Sequence, residues 1–110
     1  MYEYRALVVK VYDGDTIVVD IDLGFGIMMK NQSVRLLGVD TPEIRGKERN
    51  EGLEVKIAVE NKILGKWVKI KTMKDKKGKY GRWLVNLWVD DLCINNWLVT
   101  EGLAEEYDTN

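Results

Sequence analysis

The sequence predicts a mainly β fold with two helices, of the α+β class, in one small domain over residues 1–110. The chain has 110 residues, enough for one modest hydrophobic core. Its content of 45% apolar and 32% charged residues is typical of a globular chain. Five short segments alternate in the manner of strands, and a helical pattern stands between the third and the fourth.

The first three predicted strands cover residues 4–12, 15–23 and 31–39. Asp13-Gly14 predicts a tight hairpin turn between the first two, because glycine tolerates a positive φ and aspartate nearly so. Pro42 is expected to end the third strand, since proline has no N–H to donate to a strand ladder.

The remaining elements are a helix over 50–64, strands over 67–73 and 82–89, and a short helix over 95–101. The first helix has a broad apolar side, which we expect to face the core. It consists of Leu53, Ile57 and Leu64, extended by Val55, Ala58 and Ile63. The order β-β-β-α-β-β-α is that of a five-stranded Greek-key barrel of the OB type, in which the first helix closes the gap between strands three and four. Such barrels bind oligonucleotides or oligosaccharides on one face.

Two residue counts restrict the chemistry. The chain has no histidine, which excludes a histidine general base, a histidine metal site and a Ser-His nucleophile pair. Cys93 is the only cysteine, which excludes an internal disulfide and a cysteine-cluster metal site. Catalysis would therefore depend on carboxylates, arginine, lysine, tyrosine or a metal held by oxygen.

The sequence shows no membrane or export signal. No apolar run approaches the ~18 residues of a membrane span, so we expect no membrane partner. The start, MYEYRALVVK, lacks the positive and apolar regions of a signal peptide. We expect a cytoplasmic protein, although a secreted protein whose signal has been removed would give the same pattern.

Charge is unevenly placed in a chain whose formal net charge is only −1. One stretch, called the basic ribbon below, contains Lys69, Lys71, Lys74, Lys76, Lys77, Lys79 and Arg82 with the single acid Asp75. The chain after Arg82 has six acids and no further lysine or arginine. A basic ribbon can bind a polyanion, and it can equally be a solvated lysine-rich hairpin. The sequence leaves both open.

The stretch RLLGVDTPE, residues 35–43, places Arg35 in a strand and Asp40 and Glu43 just beyond it. Each of these residues has an ordinary structural explanation, such as a salt bridge at the edge of the barrel, but their joint occurrence favours a functional site. Arg35 and Asp40 are five positions apart, so an ideal strand would place them on opposite faces. We therefore expect either a bulge at Gly38 or an Asp40 that already lies in the turn.

Three motifs in this order carry a family resemblance: DGDT at 13–16, VRLLGVDTPE at 34–43 and KYGR at 79–82. They resemble the motifs of the staphylococcal nuclease (thermonuclease) family, and the likeness extends from about Val11 to Ala104. GLEV at 52–55 also resembles the Gly-x-Glu-Ala that opens the first helix in that family. The chain is identified by this resemblance as a short member without the family's third C-terminal helix.

The resemblance implies a Ca²⁺-dependent phosphodiesterase with an OB barrel. It would cleave the bond between phosphorus and the 5′-oxygen of single-stranded or frayed DNA or RNA and leave 3′-phosphates. The implied metal ligands are the carboxylates of Asp15 and Asp40 and the backbone carbonyl of Thr41. The implied catalytic residues are Glu43, a general base acting through water, and the phosphate-binding Arg35 and Arg82. The implied substrate-binding residues are Lys79, Tyr80 and Tyr107.

Elementary chemistry is consistent with these roles. Guanidinium groups match the geometry of phosphate oxygens, and Ca²⁺ takes hard oxygen ligands. In the absence of histidine, a carboxylate is the remaining plausible base. The intact motif set favours an enzyme over two alternatives, a non-catalytic nucleic-acid-binding barrel and a protein-interaction module, because degenerate members usually lose motif residues.

Two departures from the family pattern affect the C-terminus. Tyr107 lies near the position of a base-stacking tyrosine pair, but its spacing is offset and it has no companion, so a frayed terminal aromatic is an equal alternative. The missing third helix implies lower stability, a partner that covers the end of the barrel, or a local replacement. We expect a monomer.

Overall fold

The computed structural model describes the backbone of residues 2–77 and 82–107, and their side chains except those of residues 74–77. Within these ranges the strands are β1 (Tyr2–Val11), β2 (Thr16–Asp22), β3 (Met28–Leu36), β4 (Val39–Asp40), β5 (Trp67–Lys77), β6 (Trp83–Val89), β7 (Leu92–Cys93) and β8 (Glu105–Glu106). The helices are a short 3-10 turn (Gly46–Glu48), α1 (Arg49–Ile63) and α2 (Ile94–Thr100).

The five long strands form a closed barrel. They follow the order β3-β2-β1-β5-β6, and each neighbouring pair is antiparallel. The parallel pairing of Val34 to Leu36 in β3 with Trp83 to Val85 in β6 closes the ring. The predicted OB-type barrel with two helices is therefore confirmed. No helix in the described part of the chain is long and apolar enough to cross a membrane.

Aliphatic side chains from every long strand fill the barrel. The largest of those with almost no exposed surface are Ile17, Leu36, Ile63, Ile70, Leu87, Ile94 and Leu98. Each buried aliphatic side chain of this size contributes about 1.5–3 kcal/mol of transfer free energy. Because α1 and α2 supply three of these residues, both helices are part of the core.

The third strand is shorter at its C-terminal end than the sequence predicted. It ends at Leu36, well before Pro42, and the chain turns at Leu37 and Gly38. Gly38 has a φ of +78°, a left-handed conformation that favours glycine. Asp40 therefore lies in a separate short strand, β4, which pairs with the unpredicted β8.

The turn between β1 and β2 also differs from the prediction. Tyr12 and Asp13 both donate their N–H groups to the carbonyl of Thr16, and Gly14 does not have a positive φ. Glycine is required at position 14 for space instead. A Cβ there would lie 2.6 Å from Cγ1 of Val55 and 2.8 Å from Cγ2 of Thr41. The first turn of the barrel thus packs directly on α1.

The buried side of α1 was predicted only in part, since Val55 and Ile63 are buried as expected. Ile57 and Leu64 are exposed, and the buried positions are Gly52, Val55, Val59 and Ile63. These follow the i, i+3, i+4 spacing of one helical face. The exposed apolar residues of this helix obscured that face, so the pattern in the sequence was ambiguous.

Asn95, at the start of α2, fixes the interruption after β3. Its side chain is buried, and its Nδ2 donates to the carbonyls of Leu37 (2.9 Å) and Val85 (3.1 Å). Its Oδ1 accepts the N–H of Leu87 at 3.0 Å. One side chain thus ties the turn after β3 to β6.

We expect Asn95→Ala to lower the free energy of unfolding by about 2–4 kcal/mol, because it leaves buried backbone groups without partners. The neighbouring exposed residue provides the control: Asn96→Ala should change stability by less than about 0.5 kcal/mol. Urea unfolding of both variants measures the difference. Equal stability of the two variants would show that the Asn95 bonds contribute nothing net.

Candidate active site

Arg35, Asp15 and Asp40 meet at the edge of the barrel. The Nη2 atom of Arg35 lies 3.3 Å from Oδ2 of Asp15 and 3.6 Å from Oδ1 of Asp40. The side chains of Asp15 and Arg35 are largely buried, whereas that of Asp40 is 55% exposed. A partly enclosed guanidinium therefore stands between two carboxylates, one of which faces solvent.

The interrupted strand brings Arg35 and Asp40 to the same side. Nη1 of Arg35 donates to the carbonyls of Leu36 (3.1 Å) and Val39 (3.0 Å), on either side of the Gly38 turn. The structure has neither of the two arrangements that the sequence left open, because β3 ends at Leu36 and Asp40 lies in the separate strand β4 after the Gly38 turn. The break brings these two carbonyls within reach of the Arg35 guanidinium, and its hydrogen bonds in turn stabilise the turn.

Thr41 and Asp15 are joined across the cluster. The Thr41 N–H donates to Oδ2 of Asp15 at 3.1 Å, and both residues are buried. The hydroxyl oxygen of Thr41 is also buried and has no hydrogen-bond partner among the described residues. An oxygen in this state is open to an additional ligand, since buried polar atoms are normally paired.

Arg82 reaches the same cluster through Thr16. Nη1 of Arg82 donates to Oγ1 of Thr16 at 2.9 Å, and the Thr16 hydroxyl donates to Oδ1 of Asp15 at 3.3 Å. The sequence analysis assigned no role to Thr16, although it is the last residue of the DGDT motif. We refer to Asp15, Thr16, Arg35, Asp40, Thr41 and Arg82 together as the rim cluster.

The carboxyl groups of this region influence one another. Partial burial and the negative charge of Asp15 raise the pKa of Asp40 above its usual value, and Arg35 opposes this. Burial, together with interaction with Asp15, raises the pKa of Asp13 to about 6, although Asp13 accepts the N–H groups of Asp15 and Thr16. The carboxyl groups of Asp13, Asp15 and Asp40 therefore bring negative charge together in a partly desolvated position.

Glu43 stands two residues beyond Thr41, and its side chain is exposed. Its backbone packs against α1 at Gly52. A Cβ at position 52 would overlap the carbonyl of Glu43 and lie 2.9 Å from the nitrogen of Ile44. Gly52, the first residue of the GLEV segment, thus lets the helix contact the peptide that follows Glu43 directly.

The substrate-binding predictions fall in different places. Tyr107 lies beside the cluster, with its ring centroid 5.4 Å from the guanidinium carbon of Arg35. Lys79 and Tyr80 lie outside the described residues. In the basic ribbon, Lys69 and Lys71 extend over the Trp88 ring, at 5.0 and 5.4 Å from its centroid.

The comparisons with known proteins agree with the motifs. The family described as "Staphylococcal nuclease homologue" matches residues 33–110. The chain belongs to this family. It is 35% identical over 100 residues to the thermonuclease of Staphylococcus hyicus, which covers 88% of this chain and 56% of that protein. It is also 35% identical over 101 residues to the thermonuclease of Staphylococcus intermedius, covering 89% and 56%. The chain thus spans little more than half the length of these relatives.

The donor groups at the rim of this staphylococcal nuclease homologue fit a hard cation. The predicted ligands, the carboxylates of Asp15 and Asp40 and the backbone carbonyl of Thr41, are oxygen atoms of the kind that Ca²⁺ prefers. The Thr41 hydroxyl, which has no hydrogen-bond partner among the described residues, is a further oxygen at the same place. Among the described residues, no three Asp, Glu, His or Cys side chains group in a way that would hold a metal by themselves. Any ion bound here would therefore also need backbone or water oxygens, which is ordinary for Ca²⁺.

Gly52→Ala tests the contact between α1 and the Glu43 peptide. An alanine inside a helix normally stabilises by about 0.5–1 kcal/mol relative to glycine. Here the added methyl group would meet backbone atoms, so we expect a loss of about 1–3 kcal/mol in the free energy of unfolding. Glu51→Ala, at the exposed neighbouring position, is the control and should change little. A stabilised Gly52→Ala variant would show that this contact is not tight.

Proposed function

We propose that the rim cluster is the active site of a Ca²⁺-dependent phosphodiesterase that hydrolyses single-stranded or frayed DNA or RNA. The observation that supports it most is the position of Arg35, whose Nη2 lies within 3.6 Å of both Asp15 and Asp40. Membership of the staphylococcal nuclease homologues supports the same chemistry. The similar proteins are named thermonucleases, which supports a nucleic acid as the substrate.

Arg35 and Arg82 would bind the scissile phosphate. Both are linked to Asp15, one directly and the other through Thr16, so their guanidinium groups have a common anchor. Negative charge accumulates on the phosphate oxygens in the transition state, and guanidinium N–H groups stabilise it by charge-assisted hydrogen bonds. These contacts strengthen as the reaction proceeds, so they contribute to kcat.

Glu43 would act as the general base. Its exposed carboxylate can accept a proton from a water molecule as that water attacks phosphorus. The bond between phosphorus and the 5′-oxygen then breaks, and the leaving oxygen takes a proton from solvent. The products are a 3′-phosphate and a 5′-hydroxyl. Gly52 lets α1 lie against the Glu43 peptide, which supports a defined backbone position for the proposed base.

Asp15, Asp40 and Thr41 would hold Ca²⁺ next to this phosphate. When bound, the ion supplies positive charge that offsets the charge of the phosphate and orients the attacking water. Lys79 and Tyr80 would contact a neighbouring phosphate, and Tyr107 would contact the substrate near Arg35. The lysines of the basic ribbon would add attraction for the polyanion that depends on salt.

Asp40→Asn removes the negative charge of one proposed ligand without a change of size. We expect calcium affinity, measured by calorimetry, to fall by more than the ~10-fold that loss of an outer-shell partner costs. Cleavage of labelled single-stranded DNA should fall with it, and a chelator should abolish cleavage by the wild-type protein. Asp91→Asn, at an exposed aspartate in the turn between β6 and β7, should behave as wild type. Full cleavage in the presence of chelator would eliminate the metal.

Glu43→Gln separates the base from binding. We expect kcat to fall by about 10²–10⁴, the usual contribution of a general base, and the Kd of a nucleotide inhibitor to change little. Glu54→Gln, on the exposed side of α1, should retain wild-type kcat. Unchanged kcat in Glu43→Gln would assign the base to another group. If the purified chain binds DNA but does not cleave it with Ca²⁺, the non-catalytic binding barrel is the better description.

A further inference from the structure

The C-terminal residues of the described chain are attached at two points to the segment that follows β3 and leads to Asp40 of the rim cluster. Glu105 and Glu106 form β8 and pair with Asp40 and Val39 of β4. The N–H of Tyr107 then donates to the carbonyl of Gly38 at 2.9 Å. The backbone of Tyr107 is therefore held at the same interruption that places Arg35 and Asp40 on one side.

The contacts of Arg35 restrain its guanidinium along the edges. Nη1 donates to the carbonyls of Leu36 and Val39, and Nη2 faces Asp15 and Asp40. Hydrogen bonds of this kind lie in the plane of the guanidinium and resist sliding, but they resist tilting of the plane less well. The guanidinium carbon also lies over the Tyr107 ring, 5.4 Å from the ring centroid.

We propose that Tyr107 is a positioning residue for Arg35, and that its ring holds the guanidinium plane in the orientation needed to meet a phosphate. This inference rests on the proposed function. An aromatic face attracts a cation, so the ring both orients Arg35 and limits its motion. The Arg35 side chain is only 14% exposed, which strengthens such an interaction compared with one in open water.

This role differs from stacking on a nucleobase. Tyr107 is 50% exposed, so the outer side of its ring is open to a base while the inner side covers Arg35. Stacking would act on substrates that have a base and would appear mainly in KM. Positioning of Arg35 would act on every phosphodiester and would appear in kcat, because a misaligned clamp weakens contacts that strengthen in the transition state.

The contact itself is measured without metal or substrate. We expect the Nε–H proton of Arg35, assigned by its loss in Arg35→Lys, to be shifted by the ring current of Tyr107. The shift should disappear in Tyr107→Leu and persist in Tyr107→Phe. Tyr2→Leu, which removes an exposed tyrosine from the start of β1, should leave this resonance unchanged. An Arg35 resonance that is identical in wild type and Tyr107→Leu would overturn the proposal.

The consequence for catalysis is measured with two dinucleotide substrates, one with both bases and one that is abasic. We expect Tyr107→Leu to lower kcat by about 3- to 30-fold on both, with KM nearly unchanged and with Tyr107→Phe close to wild type. The urea midpoint of each variant shows whether the loss is merely structural. A large drop in the midpoint for Tyr107→Leu alone, with kcat per folded molecule unchanged, overturns the proposal.

The remaining outcomes separate this proposal from the function on which it rests. If Tyr107→Leu cleaves both substrates as fast as wild type does, positioning is wrong and the nuclease stands. If the loss appears only with the substrate that has bases, and appears in KM, Tyr107 is a stacking residue and positioning is again wrong. If wild type cleaves neither substrate with Ca²⁺, the proposed function fails first.

Discussion

The Arg35 guanidinium is the interaction on which the candidate site depends. It joins the two carbonyls that flank the Gly38 turn to the two carboxylates that the turn brings near. Without a cation at this point, Asp15 and Asp40 would face each other in a partly desolvated position. Partial burial first and the charge of Asp15 second raise the pKa of Asp40, and Arg35 opposes both. The same group therefore supports the backbone and balances the charge.

Close approaches that only glycine permits hold the segment beyond Asp40. Gly14 lets the first hairpin lie against Thr41 and Val55, and Gly52 lets α1 lie against the Glu43 peptide. The chain from Thr41 to Ile44 thus packs between the first turn of the barrel and the first helix. These contacts fix the backbone of a segment with little regular structure.

Much of the fold was predictable from the sequence, because alternation of apolar residues marks a half-buried strand and because turn residues interrupt it. The motifs predicted that Asp15, Arg35 and Asp40 lie together, but they did not predict the backbone geometry that brings them together. The sequence offered a bulge at Gly38 or an Asp40 in the turn, but the strand ends at Leu36 and restarts as β4. The turn between them is held by Asn95, a residue almost sixty positions further along the chain. Strand β8 was not predictable, since Glu105-Glu106 has no strand preference and pairs only because β4 is present.

The buried face of α1 was misjudged because exposed Ile57 and Leu64 carry the same local signal as core residues.

Uncharged contacts also hold the backbone of this site, beside the two hydrogen bonds that Arg35 donates to it. Asn95 holds the Leu37 turn by neutral hydrogen bonds, and Gly14 and Gly52 secure the next segment by close packing. These contacts do not depend on salt or on the ionisation of a carboxylate. A rim held together by ion pairs alone would lose its shape whenever a phosphate or a cation competed for them. With the backbone also held in this way, Asp40, Arg82 and the Nη2 group of Arg35 can exchange partners without unfolding the turn that presents them.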